Sequence, residues 1–377
     1  VSEENFESWQ EWPEDGLESV EHCPACGGSK RKIIYRNLRD RLFGAPGKWT
    51  MYLCLDCKSG YLNPRPNSSS IKLAYSDYET HNSPLSNEIA MKVRLSTRIR
   101  NSYLNLKYGY KLEPSIRLGF IAMYLLPPPL RYEWDHFARH LPKIFPGERR
   151  ALLDVGCGNG EFLLRAKSLG WDVSGVDFDE VAVSQAAEAG IDVVQGTIDP
   201  GMFPNNYFDY ITCSQVIEHV HDPRLLLKSI NYWLKPGGTL WLGTPNFDSN
   251  LRKEIGEHWF PLQPPTHLNI FSNTALINLM KSSGFTNVKI IPRGYNEVHY
   301  HRASTHIKNS DSFIVRDKIK NREDQGAFGF FIIQQLYEVE KKFENHYFDA
   351  PVIWYRESNG DYNKRLDCFK EKFFKNL

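Results

Sequence analysis

Three groups of residues in this sequence have types and spacings that could do chemistry. The first is a pair of Cys-x-x-Cys motifs, Cys23 with Cys26 in EHCPACGG and Cys54 with Cys57 in CLDC. The second is an acidic, glycine-rich constellation, Asp154, Gly156 and Gly158 in LLDVGCGNGEF, followed by Asp177 in SGVDFD. The third is a set of acid–base side chains, Glu218 and His219 in IEHVHDP and His267 in QPPTHLNIFS.

Two thiolates in a Cys-x-x-Cys turn can reach one ion, and two such knuckles complete a tetrahedral four-thiolate site of the kind zinc prefers. One pair beside a βαβ unit would read as redox chemistry; two pairs ahead of any such unit read as metal. Cys23, Cys26, Cys54 and Cys57 are therefore the expected Zn2+ ligands. The role is structural, because four thiolates leave no open coordination position. The β-leaning stretches KIIYRNL and KWTMYLC lie between the pairs, as the hairpin of a zinc ribbon requires. So small a module buries little core, and the metal supplies its folding energy. It either anchors the N-terminal segment or helps to shape a substrate site.

The second group sits on elements that can be read directly. ALLDVGCGNGEFLLRAKSLG is an apolar strand, a glycine turn and a helix. Its glycines run G-x-G-x-G, and Glu161 stands where a dinucleotide fingerprint needs its third glycine. Asp154 at the strand's end would also repel a phosphate. Asp177, at the tip of the second strand, can hold both hydroxyls of a ribose. That alone fits NAD as well as S-adenosylmethionine. The glycine spacing and Asp154 favour S-adenosylmethionine, which offers a ribose and a charged amino acid but no phosphate.

Further strands are expected at IDVVQG, YFDYITCS, TLWLGTPN and TNVKIIP, alternating with helices at EVAVSQAAEAG, PRLLLKSINYWLKPGG and NTALINLMKSSGF. The alternation predicts an α/β fold, a Rossmann-like doubly wound sheet, with ligands outside the carboxyl ends of its strands. Asp154, Asp177 and Ser214 all fall there. A last strand is expected within HYHRASTHIKNSDSFIVRD, and FGFFIIQQLYEVEKKFENHYF has helical spacing. The expected organisation is an N-terminal arm and zinc ribbon over 1–66, a helical insert over 67–149, a catalytic domain over 150–300, and a mainly helical C-terminal extension over 301–377.

DVGCGNG, SGVDFD, FDYITCSQVIEHVHDP, LKPGGTLWLGTPN and PPTHLNIFS resemble class I S-adenosylmethionine-dependent methyltransferases. The nearest likeness is to the quinone-methyltransferase-like group of bacterial polysaccharide clusters. The ribbon, closing in GYLNPRP, is similar to that of sugar C-methyltransferases with N-terminal zinc. The resemblance covers roughly residues 20 to 300. It implies that Asp154, Gly156 and Gly158 hold the methionine end of the donor, that Asp177 binds its ribose, and that Ser214 and Gln215 line the methyl-donor side. S-adenosylhomocysteine would be the product. Relatives often carry an acid after the glycine that ends strand three, near the adenine. Here Thr197 stands in that place, with Asp199 two residues on.

Methyl transfer is an in-line displacement that the protein serves by positioning, and an oxygen or carbon acceptor must also lose a proton. His219 is the leading candidate base, with Glu218 as its orienter or as a donor-pocket residue; the alternative is that both cap the next helix. His267, in a proline-stiffened loop, is the second candidate. His258, Trp259 and Phe260 could wall a sugar ring. Tyr75 and Tyr78 could reach the site if the ribbon folds over it. Cys157, Cys213 and Cys368 read as structural.

The implied acceptor is a sugar or glycan, nucleotide-linked, lipid-linked or polymer-bound, with O-methylation slightly favoured over C-methylation. Hydrophobic residues make up 41% of the chain, enough for a sizeable core, and the formal charge of +1 argues against a dedicated nucleic-acid partner. A zinc-ribbon RNA methyltransferase, drawing on KRKIIYRNLRDR, and an inactive methyltransferase-fold binding module remain the alternatives. From Met91 to Leu112 the chain holds six basic residues and no acid: Lys92, Arg94, Arg98, Arg100, Lys107 and Lys111. Such a run is a solvated face, or meets a pyrophosphate-linked sugar, an anionic glycan or a membrane surface. No signal-like segment opens the chain, so a cytoplasmic protein is expected. No oligomeric state is implied.

Overall fold

The apolar runs that alternate with amphipathic helices from Ala151 onward form one sheet, described here from a computed structural model. The structure describes residues 11–75, 95–116, 128–291, 296–310 and 352–355. The N-terminal module holds β1 (Arg31–Leu38), β2 (Trp49–Cys54) and β3 (Gly60–Leu62). Two helices follow, α1 (Leu95–Tyr108) and α2 (Pro128–Phe137). The doubly wound part then runs β4 (Ala151–Val155), α3 (Glu161–Ser168), β5 (Asp172–Asp177), α4 (Glu180–Glu188), β6 (Asp192–Gln195), β7 (Phe208–Ser214), α5 (Pro223–Trp233), β8 (Leu234–Gly243) and α6 (Asn250–Ile255). Last come β9 (Asn269–Ile270), α7 (Asn273–Ser282), β10 (Thr286–Ile290), α8 (Asn296–Asn309) and β11 (Val352–Tyr355).

The seven-stranded sheet has the spatial order β10-β11-β8-β7-β4-β5-β6. Its five strands from β8 to β6 are parallel, and β11 runs antiparallel to both neighbours. The chain winds outward from β4 to β6 and then returns to β7 on the other side of β4. Such a switch leaves a crevice at the carboxyl ends of β4 and β7. Helix α5 shows how the helices hold the sheet. Asp222 caps it by accepting from the amides of Arg224 (3.0 Å) and Leu225 (2.9 Å), and it buries Leu226, Leu227, Ile230 and Trp233. Each such side chain removed from water contributes about 1.5–3 kcal/mol.

The last strand differs from the sequence expectation. HYHRASTHIKN forms part of α8, where Ala303 and Ile307 are buried four residues apart, a helical spacing. The strand that completes the sheet is Val352–Tyr355, drawn from the C-terminal extension. Four residues this far along the chain carry no periodicity that could reveal them. The expected helix at FGFFIIQQLYEVEKKFENHYF lies outside the described residues, as do Tyr78, Lys92, Arg94 and Cys368.

The ribbon is built into the doubly wound part rather than strung beside it. β9 pairs with β3, so a segment of the doubly wound part becomes the fourth strand of the ribbon's antiparallel sheet, in the order β9-β3-β2-β1. Cys23, Cys54 and Tyr61 share one hydrophobic cluster with Phe271 and Leu279. At the seam Gly60 lies so close to Phe247 that an added Cβ would stand 2.4 Å from the ring, so no larger residue fits.

In the insert, Asp135 Oδ1 on α2 accepts from Tyr103 (2.6 Å), Tyr108 (2.6 Å) and Lys107 (2.7 Å) on α1. Lys107 thus joins two helices, while Arg98 and Lys111 in the same basic run are exposed. Among the described residues no helix is long and apolar enough to cross a membrane.

Candidate active site and four-cysteine centre

The knuckles CPAC and CLDC close on one another. Cys23 Sγ lies 3.6 Å from Cys57 Sγ, and Cys26 Sγ lies 3.6 Å from Cys54 Sγ. All four sulfurs fall within 4.8 Å of one another and none is in a disulfide. A tetrahedral zinc with sulfurs at about 2.3 Å would place them about 3.8 Å apart. The spacing therefore fits an ion held by four thiolates.

The donor side is built from the tips of β4 and β5. Gly156 has φ +72° and a Cβ there would meet Val216 at 2.3 Å. Gly158 has φ +52° with open space where a side chain would stand. The loop is thus a cradle that a ligand can approach along its backbone. Asp177 closes it: Oδ2 accepts from the amide of Gly158 (2.8 Å) and Oδ1 from that of Asp179 (3.0 Å). Asp154 is fully buried, and Oδ1 accepts from Thr212 Oγ1 (2.7 Å) and from the Arg139 guanidinium. Its Oδ2 is buried without a hydrogen-bond partner among the described residues. Burial pushes both carboxyl pKa values up, which Arg139 opposes at Asp154. An orphaned buried carboxylate oxygen beside an open glycine cradle fits a cationic ligand such as the amino acid end of S-adenosylmethionine.

Next to the cradle is a cavity of about 260 Å³. Arg139, Ser214, Gln215, Trp241, Gly243 and Thr244 line part of it. Ser214 and Gln215 thus border the same space as the Asp154 partner Arg139. Thr197 is exposed just beyond β6, where the Gly196 amide bonds to the Asp177 carbonyl (2.9 Å). Asp199 is occupied as the cap of the next helical turn, accepting from Gly201 N (2.7 Å).

Arg139 was not legible in the sequence. It sits in a left-handed turn after α2, at φ +44°, and its guanidinium lies 3.9 Å over the Phe162 ring. It could hold the donor's carboxylate. No periodicity or motif marks it, because the turn brings it beside Asp154 only in three dimensions.

The acid–base group assembles past the end of β7. Glu218 is fully buried, and its Oε2 accepts from Thr244 Oγ1 (2.9 Å). Its Oε1 lies 4.0 Å from His219 Nε2, beyond hydrogen-bond reach. Burial pushes the Glu218 carboxyl up to about 8. The His219 and His267 rings meet edge to face, centroids 4.6 Å apart. His267 is buried and its Nδ1 bonds the Pro261 carbonyl (2.7 Å), which makes Nδ1 the protonated nitrogen of the neutral ring. Burial lowers the His267 pKa to about 4. Burial, and then the neighbouring His267, lower that of His219 well below the ordinary histidine value.

Asp222, rather than Glu218 or His219, caps the helix that follows, so the capping alternative is removed. Glu218 does not orient His219 directly. Tyr75 does: its hydroxyl lies 3.0 Å from His219 Nδ1, and its ring packs edge-on against Phe178, just after Asp177. The segment leaving the ribbon thus packs on the residue after Asp177 and bonds the candidate base. The three residues of the expected sugar wall, His258, Trp259 and Phe260, border a groove apart from the donor-side cavity, with Trp259 almost wholly buried. Cys157 and Cys213 are buried. Glu218, His219 and His267 could also hold a metal ion, since one ligand atom from each lies within 4.8 Å of the others.

Residues 130–290 match a family profile described as a methyltransferase domain. The ubiquinone biosynthesis O-methyltransferase of Erwinia tasmaniensis is 36% identical over 129 residues, 32% of this chain and 51% of the relative. The protein of the same name from Xanthomonas campestris pv. campestris is 31% identical over 160 residues, 37% of this chain and 66% of the relative. The chain thus spans about half to two thirds of these relatives. A solved S-adenosylmethionine-dependent methyltransferase from Archaeoglobus fulgidus is 24% identical, covering 63% of this chain and 97% of its own, with a TM-score of 0.39. The segment that matches a methyltransferase domain thus lies on an α/β sheet with five parallel strands, the arrangement typical of class I methyltransferases.

Proposed function

We propose that this protein is an S-adenosylmethionine-dependent methyltransferase that methylates a hydroxyl of a sugar or glycan, nucleotide- or lipid-linked, with Zn2+ in its four-cysteine ribbon. The observation that supports the reading is a neutral histidine, His219, held by the Tyr75 hydroxyl of the ribbon segment and next in the chain to Glu218, whose hydrogen-bond partner Thr244 lines the donor-side cavity. S-adenosylmethionine supplies the activated methyl group. Asp177 is placed to hold its ribose, the glycine cradle with Asp154 and Arg139 its amino acid end, and Ser214 and Gln215 the side from which the methyl leaves. His219 takes the acceptor's proton at a ring nitrogen as the oxygen attacks. Glu218, uncharged through much of the neutral range, adds no negative charge beside that proton's path. Oxygen as the attacking atom follows the two relatives' names. A sugar follows the sequence likeness of the ribbon.

Mass spectrometry of nucleotide sugars and glycan oligomers after incubation with the donor tests the reading. The expected result is a single methyl gain that His219→Ala removes. Donor binding with no methyl gain on any carbohydrate would redirect the acceptor assignment.

A second reading rests on the three clustered ligand atoms. A divalent ion on Glu218, His219 and His267 would occupy the base and activate the hydroxyl as a Lewis acid instead. Turnover abolished by a mild chelator that leaves the ribbon's zinc in place, and restored by an added transition-metal ion such as Mn2+, would select this reading.

A further inference from the structure

The two cysteine knuckles are built alike, and the place where they differ touches the doubly wound part. In the first, Gly27 N bonds the Cys23 carbonyl (2.7 Å), Cys23 N bonds the Gly28 carbonyl (2.8 Å), and Gly28 N reaches Cys26 Sγ (3.4 Å). In the second, Lys58 N bonds the Cys54 carbonyl (3.0 Å), Cys54 N bonds the Ser59 carbonyl (2.9 Å), and Ser59 N reaches Cys57 Sγ. Ser59 thus stands where the first knuckle has Gly28. Since glycine closes that turn, the knuckle itself needs no hydroxyl there. We propose that Ser59, together with Ser272 of the doubly wound part, is a positioning residue that clamps the metal centre to the loop 263–271 carrying His267. The effect on turnover rests on the methyltransferase reading; the clamp itself does not.

Ser59 is buried, and its hydroxyl serves two partners. It accepts from the Ser272 amide (3.0 Å) and gives its own proton to Cys57 Sγ. Ser272, also buried, returns the contact. Its hydroxyl donates to the Cys57 carbonyl (2.5 Å) and accepts from the Ala275 amide (3.1 Å), which caps α7. Each hydroxyl has one proton to give and takes one amide, so both are fixed in direction. Four thiolates around one Zn2+ leave excess negative charge, and the N-terminal end of a ten-residue helix carries partial positive charge. The serine pair joins the one to the other. Outer hydrogen bonds of this kind orient the ligands of a metal and tune its affinity.

The position ties the clamp to the acid–base group. Ser272 follows His267 by five residues, and the segment between them is held along its length. Asn269 and Ile270 pair with Tyr61 and Gly60, directly after Ser59 in the ribbon. The Glu218 carbonyl accepts from the amides of Leu268 (2.8 Å) and Asn269 (3.1 Å). At the other end the Gln263 carbonyl accepts from His267 N (3.0 Å), and the Pro261 carbonyl from its Nδ1. Strand pairing sets the register of this loop, and the serine pair fixes its end against the metal centre.

Ser59→Ala in the full chain tests this, since it deletes one hydroxyl and leaves Ser272 to cap α7. Zn2+ affinity, read by competition with a chromophoric chelator, should fall about tenfold or more. With Co2+ in place of zinc, the sulfur-to-metal charge-transfer band should move to longer wavelength, because a thiolate that loses a hydrogen bond holds its electrons less tightly. In the zinc-saturated variant, amides from Leu268 to Leu276 should exchange hydrogen several-fold faster than in wild type, while those of β4 and β5 keep their rates. Turnover at saturating zinc should drop about fivefold with S-adenosylmethionine affinity unchanged. Unchanged zinc affinity or an unmoved cobalt band would remove Ser59 from the metal centre. Weaker zinc with unchanged exchange over 268–276 would confine its effect to the ribbon. Either result overturns the proposal. Zinc affinity, band and exchange altered as expected in a protein that neither binds the donor nor transfers methyl would instead defeat the methyltransferase reading and leave the clamp standing.

Discussion

The donor cradle and the acid–base group lie around neighbouring strand ends, yet they are put together in opposite ways. The cradle comes from one strand–turn–helix and the tip of the next strand, with Asp177 and Gly158 hydrogen-bonded across 19 positions. The acid–base group draws on the ribbon segment, the turn after β7 and the loop before β9, so Tyr75 and His219 meet across 144 positions. Its backbone is held jointly: the Leu62 amide bonds the Leu268 carbonyl (3.0 Å), and the Leu268 amide bonds the Glu218 carbonyl (2.8 Å). Local construction makes the cradle independent of the ribbon. Shared construction makes the acid–base group depend on it.

Metal loss should separate the two most sharply. Cys23→Ser removes a buried ligand, and the ribbon loses the binding energy that folds it. Turnover should fall by at least a hundredfold while S-adenosylmethionine binds within a few-fold of wild type, with one equivalent of zinc lost by metal analysis. Unchanged zinc would dismiss the four-thiolate assignment; donor affinity lost in parallel would dismiss the independence of the cradle. His219→Ala should then cost about 10²–10⁴ in turnover, the usual contribution of a general base, again without loss of donor affinity. Asp177→Ala should do the reverse and weaken donor binding tenfold or more in a titration. A variant with wild-type donor affinity would break the ribose assignment.

The same contrast explains what the sequence could show. Asp154, the glycines and Asp177 were legible because strand, turn and helix fix their neighbours within a few residues. The cysteine knuckles were legible because each pair carries its own geometry. Arg139 was hidden, since its partner Asp154 is reached through a left-handed turn that no pattern marks. The depth of Trp259 was hidden because an aromatic in a proline-rich loop looks the same whether it stands at a surface or is buried. The final strand was misplaced because four residues beside an antiparallel edge carry no period of their own.

Protonation offers a smaller test of the buried group. Glu218 is raised from an ordinary 4.5 to about 8, so the folded state binds a proton that the unfolded chain releases. Stability should therefore fall as pH rises between those two values, by an amount on the order of 5 kcal/mol in full. The histidines act oppositely: their lowered values cost stability as pH falls through the ordinary histidine pKa. Glu218→Gln keeps an acceptor for Thr244 and removes the alkaline loss, so its melting temperature should exceed that of wild type above pH 8 and converge with it near pH 5. A constant difference across that range would place the Glu218 carboxyl in an ordinary environment.

The smallest expected effect reports most directly on the ribbon's contribution. Tyr75→Phe keeps the ring against Phe178 and deletes only the hydroxyl beside His219 Nδ1. One neutral hydrogen bond is worth about 1 kcal/mol, or about fivefold in rate. A fivefold loss in turnover alone could come from repacking, so the pH profile must be read beside it. Tyr75 contacts the nitrogen opposite the Glu218 side, and removing the contact changes how the ring carries its proton. The acidic limb of kcat should therefore move in Tyr75→Phe, with donor affinity unchanged. If the limb stays where it is in wild type, Tyr75 only packs, and the ribbon shapes the site without touching its chemistry.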